Sequence, residues 1–129
     1  MIIDTSALTR VFLAEPGYEE FDRVIADRPF TLVPVSCFVE FGLLHRLGPQ
    51  RMAWLDTFSR RDGVAVAGIE PEQREMAVMA AQKYGKGSGH RAQLNFGDCL
   101  VYAVAKYREM PLLFAGNDFR HTDVTPALA

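Results

Sequence analysis

Short apolar runs alternate along the chain with longer stretches whose apolar residues recur at helical spacing. The opening run Met1–Ile3 ends in Asp4 and feeds TSALTRVFLAEPG, where Thr5 or Ser6 is placed to cap a helix carrying Leu8, Val11 and Phe12 on one face. Pro16 and Gly17 break that segment. YEEFDRVIADR then resumes a helical period through Phe21, Val24 and Ile25, and PFTLVPV reads as a second strand. A strongly apolar helix is predicted from Ser36 to Leu47 (SCFVEFGLLHRL), closed by Gly48 and Pro49 and followed by the amphipathic QRMAWLDTFSRR. GVAVAGIE is the third strand, and PEQREMAVMAAQKYG a helix with Pro71 in its first turn and Gly85 as its stop. KGSGH reads as a mobile loop, LNFGDCLVYAVAKY as the last long helix, and MPLLFAGNDF as a fourth strand running into a turn. Strands alternating with helices imply an α/β fold, with a parallel sheet covered on both faces.

Composition adds the scale. With 129 residues, 49% hydrophobic and 23% charged, the chain suits one domain spanning residues 1–129. Its 14 basic and 16 acidic residues leave a net charge of −2, so no global field draws it to nucleic acid or to an acidic membrane. The apolar runs fall well short of the roughly 18 residues that span a bilayer, and MIIDTSAL lacks the basic start of a signal peptide. A cytoplasmic protein with no membrane partner is expected. Cys37 and Cys99 stand far apart in no zinc-type spacing and read as buried thiols.

The acidic residues divide into two kinds. Glu19, Glu20, Asp22, Glu72 and Glu75 lie on predicted helix faces with Arg or Lys nearby, as solvated faces do. Asp4, Glu40, Asp98 and Asp118 do not. One helical turn from Glu40 lie Ser36, Cys37, Leu43 and Leu44, and one turn from Asp98 lie Leu94, Asn95, Val101 and Tyr102, so neither has a local cation. Structural uses exist for three of them: Asn95 and Asp98 have capping-pair spacing, Asp4 suits a helix cap, and Asp118 suits a turn. Glu40, inside CFVEFGLL, has no such use. In an α/β sheet the carboxyl ends of the strands gather on one edge, where ligands bind, and Asp4 and Asp118 follow such ends. Acidic groups converging there suit hard divalent ions, Mg²⁺ or Mn²⁺, which take oxygen ligands and act on phosphodiesters.

MIIDTSAL, VEFGLL (39–44) and FGDCLVYAVAKYREMPLLFAGNDFRHTDV (96–124) together closely resemble the PIN-domain ribonucleases, specifically the VapC-type toxins of bacterial toxin–antitoxin modules. The similarity runs through essentially the whole chain, strongest at both ends and weakest between about Gly48 and Leu94. The resemblance implies a three-layer α/β/α PIN-like domain with a central, mainly parallel sheet of four to five strands. It also implies a Mg²⁺- or Mn²⁺-dependent endoribonuclease whose site is Asp4, Glu40, Asp98 and Asp118, supported by Thr5, Ser6 and Asn117. It further implies a homodimer, neutralised by a cognate antitoxin whose tail threads an Arg or Lys into the acidic pocket. Two other readings stand beside this one. A catalytically weak PIN-fold binding module is disfavoured by the complete set of four acids, and a DNA- or flap-directed nuclease by a chain too short for a DNA-tracking element.

The loop KYGKGSGHRAQ places Lys83, Lys86, His90 and Arg91 among three glycines just before the helix of Asp98, as either a grip for RNA phosphates or a solvated linker. His45 is expected to complement the dipole of its helix, and His121 and Asp123 to be turn residues. Met52, Trp54 and Phe58 are expected to share one core-facing side of their helix.

Overall fold

Strand β1 is only two residues long, Ile2–Ile3, yet it is the centre of the sheet. It pairs in parallel with β2 (Thr31–Pro34), Ile2 opposite Leu32, and with β4 (Leu112–Leu113), Ile2 opposite Leu112 and Ile3 opposite Leu113. β3 (Val64–Ala67) adds outside β2, giving the order β3-β2-β1-β4. The computed structural model describes residues 1–128. Around the sheet run α1 (Thr5–Leu13), α2 (Tyr18–Asp27), α3 (Val35–Leu43), α4 (Arg51–Ser59), α5 (Arg74–Tyr84) and α6 (Phe96–Tyr107), in a three-layer α/β/α arrangement. Because β1 lies between β2 and β4, the chain leaves the sheet in two directions from neighbouring strands. That opens a crevice at their carboxyl ends.

The core follows from the apolar period. Ile2, Ile3 and Leu8 are fully buried with Val33, Phe41 and Leu55, and the consecutive buried run Val101–Ala105 shows α6 packed on several sides. Phe12, Phe41, Trp54 and Phe58 form an aromatic cluster with ring centroids 5.3–5.8 Å apart. Met52, expected on the same side, instead lies exposed, with its sulfur near Gly42. Cover of the sheet stops short at β3, an edge strand on which Ala65 and Val66 are exposed, so the expectation of two fully covered faces fails there. At the opposite edge the C-terminal tail lies along β4, Leu112 N–H donating to the Thr125 carbonyl (2.8 Å) and Ala127 N–H to that of Leu112 (2.9 Å). The buried Tyr102 hydroxyl holds this tail by donating to Asp123 (2.6 Å), which also pairs with Lys106 (3.2 Å). Asp123 therefore fastens the chain end rather than lying in a free turn.

Several boundaries differ from the sequence expectation. The helix predicted to reach Leu47 ends at Leu43 and is followed by a separate 3-10 turn, His45–Leu47. The reason lies in Arg51, whose guanidinium donates to the carbonyls of Phe41 (3.3 Å), Gly42 (2.6 Å) and Gly48 (2.8 Å), satisfying the open end of α3. Its Nη2 also reaches His45 Nδ1 (3.0 Å). Arginine only donates, so that ring nitrogen accepts, and the Arg51 guanidinium brings a positive charge to this helix end. Pro71 opens a 3-10 turn, Pro71–Gln73, ahead of α5, whose first residue is Arg74.

Candidate metal centre

Asp4 is the residue that leaves β1. Its N–H donates to the Leu113 carbonyl (2.9 Å), and its side chain, 4% exposed, turns back to cap α1. Oδ2 accepts from the Ser6 N–H (2.9 Å) and the Ser6 hydroxyl (2.5 Å). Thr5 is the first helical residue, so neither Thr5 nor Ser6 is the cap; the extended backbone of Asp4 (φ −87°, ψ 158°) carries that role. Ser6 Oγ in turn accepts from the Ala115 N–H (3.0 Å), fastening Asp4 to the segment that leads from β4 to Asp118.

Helix α3 begins directly after β2, and Cys37 and Glu40, three residues apart, lie on the same side of it. Ligand atoms of Asp4, Cys37 and Glu40 lie within 4.8 Å of one another. Glu40 Oε1 accepts from the Thr5 hydroxyl (2.8 Å), so the two residues after Asp4 each fix one carboxylate, Thr5 that of Glu40 and Ser6 that of Asp4. Asp98 stands in the first turn of α6 in a reciprocal cap. Its Oδ2 accepts from Asn95 N–H (3.1 Å), while Asn95 Oδ1 accepts from Asp98 N–H (2.8 Å). Asp118 is exposed at the start of a 3-10 turn, Phe119–His121, beside the exposed Asn117. Asp98 and Asp118 lie outside the tight group that joins Asp4, Cys37 and Glu40.

The four carboxylates nevertheless share one field. Among the described residues the ion pairs are Arg60 with Asp56 and Lys106 with Asp123, and neither involves these four acids. Burial raises the pKa of Asp4, and the charge of Asp118 pushes the same way, against hydrogen bonds from Ser6 and Thr5. Glu40 is raised by burial and by Asp4, opposed by the Thr5 hydroxyl. Burial pushes Asp98 up to about 7, with Asp4, Asp118 and Glu40 adding to the shift against the Asn95 N–H. Desolvated carboxylates facing one another without a cation are costly, and take up either protons or a metal ion. The donor chemistry identifies the class of ion. Burial pushes the Cys37 thiol pKa up, and the Cys37 Sγ–H points to the Ile3 carbonyl (3.8 Å), so it stays a neutral packing group. What remains is carboxylate oxygen, which fits a hard divalent cation rather than zinc.

The basic loop lies to one side of α6. Lys83, Lys86 and Arg91 are exposed, whereas His90 Nδ1 accepts from Ala92 N–H (3.0 Å) and shapes the loop. Lys86 N–H bonds the Leu94 carbonyl (2.9 Å) and Leu94 N–H that of Tyr84 (2.8 Å), closing the loop at its base. His121 is half-buried in its 3-10 turn. An open apolar groove of about 760 Å³ between α5 and the start of α6 reaches Asn95, Phe96 and Cys99 but includes none of the four acids. Cys37, read from the sequence as a buried thiol, is one, beside the acids. Gly97, which lies against Glu40, escapes a reading of the sequence, because the contact joins distant segments.

This arrangement can be set against known proteins. The PIN domain family matches residues 1–124. A protein of Mycolicibacterium smegmatis named Ribonuclease VapC is 40% identical over 126 residues, covering 96% of this chain and 97% of that protein. Ribonuclease VapC30 of Mycobacterium tuberculosis is 38% identical over 126 residues, covering 96% and 95%. The chain belongs to the PIN-domain family, among its VapC ribonucleases. The fold is also that of Mycobacterium tuberculosis VapC20, described as a sarcin-ricin loop cleaving toxin (TM-score 0.76, 17% identity, 96% and 95% covered). It is likewise that of a toxin–antitoxin complex from Klebsiella pneumoniae (TM-score 0.69, 18% identity, 99% and 94% covered).

Proposed function

We propose that this protein is the toxin of a type II toxin–antitoxin module, an endoribonuclease that requires Mg²⁺ or Mn²⁺ and acts in the cytoplasm. The observation that carries the reading is the set of desolvated carboxylates, Asp4 at the end of β1, Glu40 on α3 and Asp98 at the start of α6, paired with no cation among the described residues. Asp4, Glu40, Asp98 and Asp118 would hold the ion. The chemistry such an ion supplies is activation of water and stabilisation of charge at phosphorus. The chain's own contribution is order. Ser6 fixes Asp4 and ties it to the segment after β4, Thr5 fixes Glu40, and Asn95 fixes Asp98 by the cap of α6. Asn117 stands beside Asp118 as a further polar contact for substrate or ion. Lys83, Lys86, His90 and Arg91 offer donors to RNA phosphates, which demand charge and hydrogen bonding more than shape.

The same acidic crevice fits neutralisation by an antitoxin that presents an Arg or Lys to the carboxylates. A homodimer is supported by Val35, Val39 and Leu43, which recur every fourth residue in one row along α3 and are 45%, 61% and 68% exposed. Light scattering of the free chain should give twice the chain mass; a monomer at micromolar concentration would set the dimer aside. The activity is tested with labelled single-stranded RNA and DNA of matched sequence, each with Mn²⁺, Mg²⁺ or EDTA. RNA cut only when a divalent ion is present is the expected result, with Lys83→Ala and Lys86→Ala raising KM. Cleavage that persists in EDTA, or that prefers DNA, would contradict the proposal.

A further inference from the structure

The first turn of α6 passes Glu40 at a residue with no side chain. A Cβ placed on Gly97 would overlap the Glu40 carboxylate, with Oε2 the nearest atom, Cδ at 2.7 Å and Oε1 at 3.2 Å. All three of its nearest neighbours belong to that carboxylate. The backbone offers no competing reason for glycine. Gly97 is absent from the glycines of positive φ and sits inside an α-helix, where glycine is among the poorest formers.

We propose that Gly97 is a positioning residue for Glu40. Its missing side chain is the notch that lets the carboxylate seat between the Thr5 hydroxyl, 2.8 Å from Oε1, and the start of α6, one residue before Asp98. The overlap falls wholly on the far end of a flexible side chain. An alanine at this position would therefore meet no resistance from backbone, and would swing the carboxylate away instead of unfolding the helix. Stability and site geometry respond in opposite senses, which a merely structural glycine would not show. The functional consequence rests on the metal-ion reading above; the geometric one does not.

The test compares wild type, Gly97→Ala, Glu40→Asp and the double variant by metal-free crystal structures, metal-free thermal unfolding and Mn²⁺ calorimetry. Gly97→Ala should unfold at or above the wild-type temperature, lose the Thr5–Glu40 hydrogen bond, and bind Mn²⁺ about tenfold or more weakly. The shorter carboxylate of Glu40→Asp leaves room for the new methyl, so adding Gly97→Ala to it should cost no further affinity. Overturning results are a Gly97→Ala crystal with the Thr5–Glu40 bond intact, a Gly97→Ala protein that fails to fold, or losses that multiply in the double variant. If wild type bound no Mn²⁺, the metal reading would fail by itself. The crystal of Gly97→Ala would still decide the positioning role.

Discussion

Asp98→Asn should lower metal-dependent RNA cleavage by about a thousandfold, on the order of 4 kcal/mol of transition-state stabilisation, while the protein stays folded. The two halves of that expectation have separate physical origins. Asparagine keeps an oxygen that accepts from Asn95 N–H, so the reciprocal cap of α6 survives. It removes the negative charge that would hold a divalent cation beside Asp4 and Glu40. RNA-cleavage rates, with circular dichroism on the same sample, check both halves. A folded Asp98→Asn protein that cuts RNA at the wild-type rate would remove Asp98 from the site.

Without metal, the same substitution should stabilise the protein at pH 8 and leave it unchanged in acid. The sign follows from the direction of the shift. Asp98 holds its proton up to about 7 in the folded chain, far above the ordinary Asp value near 3.8, and Asp4 and Glu40 are raised as well. The folded state therefore binds more protons than the unfolded state between these values. The favourable contribution is full below about pH 4 and is lost as pH rises through about 7. Asparagine mimics the protonated acid and does not titrate. The gain at pH 8, discounted for the solvent on the open side of Asp98, is about 1–2 kcal/mol, or roughly 5 °C in Tm. Millimolar Mn²⁺ should reverse the order, raising the wild-type Tm above that of the variant. Thermal unfolding at about pH 3.5 and pH 8, with Mn²⁺ added at pH 8, reads these differences. A metal-free variant less stable than wild type at pH 8 would contradict the electrostatic account.

The strands and helices were legible because their signals are local. Ile2 and Ile3 before Asp4, the period of Phe21, Val24 and Ile25, and the apolar spacing of the last helix each announce an element without reference to the rest of the chain. What failed were ends and faces decided at a distance. The end of α3 depends on a guanidinium from the next helix, and no local rule places Arg51 on the Phe41 and Gly42 carbonyls. CFVEFGLL is apolar on nearly every side, so its buried row could not be read; Val39 and Leu43 face outward while Cys37 and Phe41 are buried, because an apolar run does not say which row meets the sheet. The acids stood out for the lack of nearby cations, a property of the sequence itself. Their seating was invisible, since the Ser6 hydroxyl that binds Asp4 takes its other partner, Ala115, 109 residues away. The notch at Gly97 is likewise a meeting of distant segments.

The central claim is that the acidic crevice binds a divalent cation, and Mn²⁺ calorimetry into the millimolar range on wild type, Asp4→Asn and Asp98→Asn tests it without any choice of RNA. The account predicts saturable binding by the wild type, weakened about tenfold or more by each substitution. No binding by the wild type, or binding that both substitutions leave intact, would contradict it.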